Sequence, residues 1–167
     1  MTALDDWNQL PAPDALAPLL ACCGSREFAD ALVRARPFAN ADALLAAADN
    51  IWWSLREGDW LEAFACHPRI GESAANGSRQ FSAWSVEEQS TARSGAYSVL
   101  DSILRKNREY EARHGFIYIV CASGKSADEL LAILDRRIGN STENEIKEAA
   151  EQQRQITHIR IRKWLAQ

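Results

Sequence analysis

The stretch Asn40–Leu55 (NADALLAAADNIWWSL) decides the fold class, because its apolar residues recur every three or four positions. Residues at that spacing share one face of an α-helix. The apolar members of that face are Leu44, Leu45, Ala48, Ile51, Trp52 and Leu55. Asn40 is a suitable N-cap for the segment. The stretch therefore predicts an amphipathic helix with one buried face.

Helical patterns continue on both sides of this stretch. Asp59 and Glu62 have capping-box spacing and predict the start of the next helix. That helix must end near His67, because Pro68 disfavours the α conformation of the residue before it. Capping patterns and apolar periodicity predict three more helices, which begin at Ser85, at Ser126 with Glu129, and at Thr142 with Glu145.

Two segments lack helical periodicity. Residues 69–84 are rich in Gly, Ser and Asn and predict a long loop, a kind of segment that is often functional. Residues 116–122 (FIYIVCA) form an apolar run. Because a lone strand has no partner here, we expect extended backbone buried between helices. The sequence predicts a single compact all-α domain over residues 1–167, with one buried extended segment near 116–122.

Composition excludes several classes of protein. The chain has 167 residues, of which 47% are apolar and 25% charged, so disorder throughout is excluded. A net charge of −4 speaks against a nucleic-acid-binding face and a basic membrane-binding surface. The chain has no apolar run long enough to span a bilayer. Four irregularly spaced cysteines indicate reduced thiols, so we expect a cytoplasmic protein.

Three histidines are candidates for proton transfer near neutral pH. His67 ends a helix, is followed by Pro68, and faces the predicted 69–84 loop. His114 lies at a predicted helix C-terminus, where a favourable dipole contact explains it. His158 lies within the last predicted helix and has a surface or packing role by default. Of the three, His67 is the candidate acid or base, although a histidine at a helix end is common.

The segment Ser85–Gln89 (SVEEQ) has two interpretations that remain open. In the first, Ser85 is an N-cap and Glu88 completes a capping box, which needs no function. In the second, the helix N-terminus binds a carboxylate ligand, and Glu88 orients a nearby imidazole. The two interpretations are compatible.

Nucleotide and metal sites have little support. Ser123–Ser126 (SGKS) resembles half of a phosphate-binding loop, but Ile119 occupies the position where the full motif requires glycine. Cys66 and His67 are adjacent, and the chain has no second pair at ligand spacing. We therefore expect no metal site.

Four blocks of sequence, taken together, resemble one family. They are His67–Gly71 (HPRIG), Ser85–Gln89, Gly115–Ser126 (GFIYIVCASGKS) and Ile156–Arg160 (ITHIR). In this order they resemble the OHCU decarboxylases, which convert 2-oxo-4-hydroxy-4-carboxy-5-ureidoimidazoline (OHCU) to (S)-allantoin in urate breakdown. The resemblance covers nearly the whole chain. It implies an all-helical carboxy-lyase with a small-molecule substrate, no cofactor and a homodimeric state.

The resemblance also implies roles for particular residues. The family's catalytic histidine corresponds to His67, which Glu88 would orient as general acid or base. Backbone N–H groups of the extended segment would bond the substrate ring. Thr91 departs from the family, where glycine is expected. The implied substrate contacts are Pro68, Ser85, Glu88, Gln89, Tyr118, Ile119, Val120, Cys121, Ala122 and Arg160, with Arg162 as the alternative to Arg160.

Two other functions remain as alternatives. The first, from a different class, is a non-catalytic helical interaction module. Such a module would require only high helix content and exposed tryptophans. The absence of a basic stripe or a sustained heptad weakens it. The second is a hydrolase that acts on an earlier product of urate breakdown, but the sequence has no nucleophile elbow to support it.

Overall fold

A computed structural model describes residues 1–70, 87–90 and 97–167 of the chain. Within these ranges the chain forms eight helices and no strand, which confirms the predicted all-α class. Glu87 and Glu88 are also helical. The eight helices are α1 Ala3–Gln9, α2 Ala12–Cys22, α3 Arg26–Arg34, α4 Ala41–Ser54, α5 Glu57–Ala65, α6 Tyr97–His114, α7 Ala127–Ile138 and α8 Thr142–Leu165.

Two of the predicted helix starts are confirmed by their caps. The Asn40 side chain accepts a hydrogen bond from the Ala43 backbone N–H at 2.9 Å, at the start of α4. Ser126 and Glu129 form a reciprocal capping box at the start of α7. Both caps satisfy backbone donors that have no partner within their helices.

One other predicted start is wrong, and at another the start is confirmed while the predicted cap is not. Helix α5 begins before Asp59, whose carboxylate accepts from the Arg56 backbone N–H at 3.1 Å, while Glu62 accepts from the Arg26 N–H at 3.0 Å. At the start of α8 the cap is Ser141, which accepts from the Asn144 N–H at 3.3 Å. In both cases the acidic residue at capping-box spacing has a partner that the local pattern does not show.

By their contacts the described residues form two compact units. The first comprises residues 1–63 and 154–167, and the second comprises residues 64–153. The prediction of a single domain stays a prediction. No helix in the described ranges is both long enough and apolar enough to cross a bilayer.

The first unit has an aromatic core. Trp7 meets Trp164 edge-on at 5.5 Å between ring centroids, and Trp52 meets Phe28 in the same way at 6.1 Å. Helix α3 packs against both α2 and α4. The largest buried side chains of the first unit include Trp7, Trp52, Phe28, Leu19, Leu32, Leu44 and Arg160.

The second unit packs α6 against α7. Phe116 follows α6 and contacts Phe64 at 5.6 Å and Tyr110 at 5.8 Å between ring centroids. Gly115 has a φ of +80°, a left-handed conformation that favours glycine and ends α6 as the sequence indicates. This aromatic cluster holds the start of the extended segment in place.

Residues 117–122 have neither helix nor strand hydrogen bonding, as predicted. Tyr118, Ile119, Val120, Cys121 and Ala122 are all buried. A buried backbone without regular structure must find other hydrogen-bond partners. Those partners are side chains of the second unit.

Candidate active site

His67 lies just beyond the end of α5, where Pro68 follows it. Its backbone N–H donates to the Phe64 carbonyl at 3.1 Å, which closes the last turn. The side chain is half-buried, and its Nε2 lies 2.6 Å from Oε1 of Gln153. Gln153 is fully buried on α8. The imidazole is therefore fixed by a rigid neighbour at the position the sequence singled out.

Sequence reasoning missed Gln153, although a signal was present. The buried apolar residues of this part of α8, Ile146, Ala149, Ala150 and Ile156, recur at helical spacing. Gln153 falls on the same face, where a polar side chain requires a hydrogen-bond partner. A polar residue that interrupts an apolar stripe was thus the available clue.

Side chains hold the backbone of the extended segment. The guanidinium Nη1 of Arg137 donates to the Ile119 carbonyl at 2.6 Å. The Cys121 N–H donates to Oε1 of Gln152 at 2.9 Å, and Nζ of Lys125 donates to the Cys121 carbonyl at 2.7 Å. The Cys121 N–H, which we expected to bond the substrate, is therefore used by Gln152.

The Tyr118 side chain belongs to the core. Its hydroxyl donates to the Leu130 carbonyl at 3.3 Å, and the Arg137 guanidinium lies 4.9 Å from its ring centroid. Burial raises the pKa of Tyr118 above its ordinary value, although the Arg137 charge opposes the shift. This hydroxyl stays protonated, and its hydrogen bond to Leu130 anchors the extended segment to the core.

A buried ion pair lies behind the extended segment. Nε of Arg137 donates to Oε1 of Glu145 at 2.5 Å, and neither side chain is more than 1% exposed. The Tyr110 hydroxyl donates to the same oxygen at 2.8 Å, and Asn140 donates to the other at 2.9 Å. Since Arg137 also bonds the Ile119 carbonyl, the pair connects α7, α8 and the segment. From the sequence, Glu145 has only a predicted capping role and Arg137 has none.

Glu88 and Gln89 are buried, with 8% and 7% of their surface exposed. Glu88 is helical. Ser85, Thr91 and most of the predicted 69–84 loop lie outside the described residues. The capping role of Ser85 and the orientation of His67 by Glu88 stay predictions.

Arg160 is fully buried in the first unit, whereas the alternative Arg162 is exposed. A buried guanidinium is costly unless charged or polar groups surround it. Burial raises the pKa of the Cys22 thiol in the same unit, and the Arg160 charge acts in the opposite direction. Burial thus favours Arg160 over Arg162 as the residue that the fold holds in one conformation.

The other two histidines are held by side chains of their own units. His114 is buried with Nδ1 2.9 Å from the Thr142 hydroxyl, and burial lowers its pKa. Nε2 of His158 lies 2.7 Å from Oδ1 of Asp49, which also accepts from Arg154 at 3.2 Å. His158 is therefore part of an ion-pair cluster, which the sequence did not predict.

Across residues 1–70, 87–90 and 97–167, no three His, Cys, Asp or Glu side chains cluster in a way that would hold a metal ion. No disulfide joins the four cysteines, all of which lie in these ranges.

The fold is that of an all-helical carboxy-lyase family. The family model for OHCU decarboxylase matches residues 8–162, which is nearly the whole chain. The chain belongs to the OHCU decarboxylase family. This confirms the predicted family, fold class and enzyme class.

Two curated relatives agree with this assignment. The uric acid degradation bifunctional protein TTL of Arabidopsis thaliana is 39% identical over 145 residues, which are 85% of this chain and 44% of that protein. The 2-oxo-4-hydroxy-4-carboxy-5-ureidoimidazoline decarboxylase of Amia calva is 28% identical over 132 residues, 75% of this chain and 73% of that protein. The chain thus spans less than half the length of the Arabidopsis relative.

A solved structure gives the same result. The crystal structure of an OHCU decarboxylase in the presence of (S)-allantoin superimposes with a TM-score of 0.78 at 34% identity. The match covers 89% of this chain and 96% of that one.

Proposed function

We propose that this chain catalyses the decarboxylation of OHCU to (S)-allantoin in urate degradation. The family match supports this reaction, and the non-catalytic interaction module is not favoured. The observation that carries the proposal is the position of His67, a half-buried imidazole at a helix end whose Nε2 is fixed by a buried side chain.

The chemistry of the substrate defines what the protein must supply. The ring carbon of OHCU that bears the carboxylate and the hydroxyl is next to an imine-like carbon. When the bond to the carboxylate breaks, CO2 leaves and its electron pair moves into the ring imine, which takes up a proton. The hydroxyl then loses its proton as a carbonyl forms, and the former imine carbon gains a proton. The protein must orient the substrate and handle these protons.

His67 is the residue we assign to proton transfer. A histidine changes charge near neutral pH, so it can accept the hydroxyl proton and donate a proton to the ring. Its fixed position at the end of α5 reduces the motion needed for transfer. Glu88, as a buried carboxylate, would orient the charged imidazole.

The extended segment is the surface we assign to the substrate ring. Because residues 117–122 form neither helix nor strand, part of their backbone can bond a ligand rather than a neighbouring element. Gln89 can both donate and accept a hydrogen bond, which suits an amide-rich ring. Contacts to the substrate from Pro68, Ser85 and Arg160 stay predictions from the family resemblance.

Two further properties belong to the proposal. We expect a homodimer, as the family resemblance implies, and a cytoplasmic protein, as the reduced thiols indicate. Sedimentation of the full chain tests the first, and fractionation of the cells that make it tests the second.

Circular dichroism tests the reaction directly, because (S)-allantoin is chiral. OHCU is generated enzymatically, and the full chain is added. We expect the (S)-allantoin signal to appear faster with the chain than in buffer alone. An unchanged rate would contradict the decarboxylase assignment and favour the interaction module.

Glu88→Gln separates the two interpretations of Glu88. The substitution removes the charge and keeps the size of the side chain and one oxygen that accepts hydrogen bonds. A folded variant with about 10- to 100-fold lower kcat supports orientation of His67. A variant with wild-type kcat and an unchanged unfolding free energy supports the capping role, because glutamine also completes a capping box.

A further inference from the structure

We propose that Gln153 is a positioning residue that fixes the tautomer of His67, with the proton on Nε2 and the lone pair on Nδ1. The catalytic consequence rests on the proposed function, whereas the tautomer itself does not.

The geometry supports a strong and rigid contact. Oε1 of Gln153 lies 2.6 Å from Nε2 of His67, which is slightly shorter than the usual N–H···O distance of about 2.7–3.2 Å. A side-chain carbonyl oxygen only accepts hydrogen bonds, so Nε2 must carry the proton. Gln153 has no exposed surface. It therefore cannot exchange this contact for water at low cost.

The Gln153 amide is a neutral partner, so it acts separately from the Glu88 carboxylate that the proposed function places beside the charged imidazole. An amide oxygen fixes the position of the proton without adding a negative charge beside the imidazole. Nδ1 is then the nitrogen that accepts a proton in the reaction. The hydrogen bond on one ring nitrogen thus selects which nitrogen does the chemistry.

The adjacent residue extends the same arrangement to the substrate segment. Oε1 of Gln152 accepts from the Cys121 N–H at 2.9 Å, while its Nε2 donates to Glu148 at 3.2 Å. The oxygen of the Gln152 amide meets a donor and its nitrogen meets an acceptor, so the orientation of the amide fits both partners. Consecutive residues of α8 therefore hold the histidine and the extended segment, which fixes both relative to one helix turn.

Nitrogen NMR of the full chain labelled with 15N-histidine tests the tautomer without any substrate. Spectra are recorded at a pH where the His67 imidazole is neutral, and the His67 signals are assigned by their loss in His67→Asn. We expect a protonated Nε2, an unprotonated Nδ1, and an observable Nε2–H proton that the buried hydrogen bond protects from exchange. A proton on Nδ1 would overturn the proposal.

Two substitutions at Gln153 make the test specific. Gln153→Leu removes the acceptor, and we expect the protected Nε2–H signal to disappear. Gln153→Glu keeps an acceptor oxygen at the same place, so the signal should remain. Unchanged Nε2–H signals in a folded Gln153→Leu protein would show that Gln153 does not hold the proton, and would contradict the proposal.

Kinetics separate positioning from structural support. We expect Gln153→Leu to lower kcat by about 10- to 100-fold, the range typical of residues that orient a functional histidine, with KM nearly unchanged. Gln152→Leu should instead raise KM, because it releases the segment, and should leave the His67 tautomer intact. If Gln153→Leu and Gln152→Leu change kcat by the same factor and KM by the same factor, the distinct roles of Gln153 and Gln152 are contradicted.

The two proposals fail in different ways. If the wild-type chain has the expected tautomer but does not accelerate (S)-allantoin formation, the proposed function is wrong and the role of Gln153 in fixing the tautomer is supported. If the chain turns over OHCU with the proton on Nδ1, the reaction is supported and the role of Gln153 is wrong.

Discussion

His67 and His158 are held in similar ways in different units of the molecule. Each uses Nε2, at 2.6 Å from Gln153 and at 2.7 Å from Asp49 respectively. The partners differ in kind. Gln153 is neutral and fully buried, whereas Asp49 is charged, partly exposed and shared with Arg154.

The difference shows why distance alone does not identify a functional histidine. The Asp49 carboxylate pairs with Arg154 and also contacts His158, and this cluster joins α4 to α8 in the first unit. A neutral amide fixes the tautomer and leaves the imidazole able to accept a proton. We therefore assign chemistry to His67 and a structural role to His158.

The largest expected effect is on turnover. His67→Asn removes the acid or base, and we expect kcat for OHCU decarboxylation to fall by about 10²- to 10⁴-fold. His158→Asn makes the same chemical change in the other histidine and should keep wild-type turnover. Circular dichroism of (S)-allantoin formation measures both. Wild-type activity in His67→Asn, or an equal loss in His158→Asn, would remove the distinction between the two sites.

The ion pairs of the two units should contribute differently to the unfolding free energy of the chain. Arg137→Met leaves the Glu145 carboxylate buried without its main partner, and we expect a loss of about 3–5 kcal/mol in unfolding free energy. Asp49→Asn breaks a partly exposed cluster and should cost about 0–1 kcal/mol. Urea unfolding measures both losses.

A second substitution sharpens that result. Adding Glu145→Leu to Arg137→Met removes the uncompensated charge, and we expect much of the lost stability to return. Equal losses for Arg137→Met and Asp49→Asn would contradict the burial argument.

The third histidine gives a pH dependence. Burial lowers the pKa of His114 in the folded chain, so the unfolded chain binds more protons below about pH 6.5. Unfolding free energy should therefore fall as the pH drops from about 6.5 towards the folded pKa, by up to about 1.4 kcal/mol per pH unit from this group. In His114→Gln this part of the slope should be absent. A slope unchanged by the substitution would show that other groups cause it.

A small effect is expected from the helix caps in the two units. Asn40→Ala and Ser126→Ala each remove a side chain that accepts from a backbone N–H. We expect each to cost about 1 kcal/mol in unfolding free energy. Thermal unfolding compares the two variants with Ser90→Ala, an exposed serine. If neither cap substitution lowers the midpoint of thermal unfolding, tertiary packing alone fixes these helix starts.

Local features of the fold were predictable from the sequence. Apolar periodicity defined α4, and Pro68 placed His67 at a helix end. The apolar run at 116–122 indicated buried backbone without a strand partner. Each of these features depends on residues within a few positions of one another, which is the range over which periodicity and capping carry information.

Long-range partners were not predictable in the same way. Gln153 lies 86 residues from His67 along the chain, and Asp49 lies 109 residues from His158. Glu145 had capping-box spacing, but its carboxylate pairs with Arg137 in the core. Periodicity shows that a residue is on a buried face, and it does not show which distant side chain meets it there.

A crystal structure of the chain with (S)-allantoin bound tests the central claim most directly. The account predicts that the ring of the product lies beside residues 117–122 and within about 2.6–3.2 Å of the His67 imidazole, the reach required for proton transfer. A product bound against Asp49 and His158, with His67 out of reach, would contradict it.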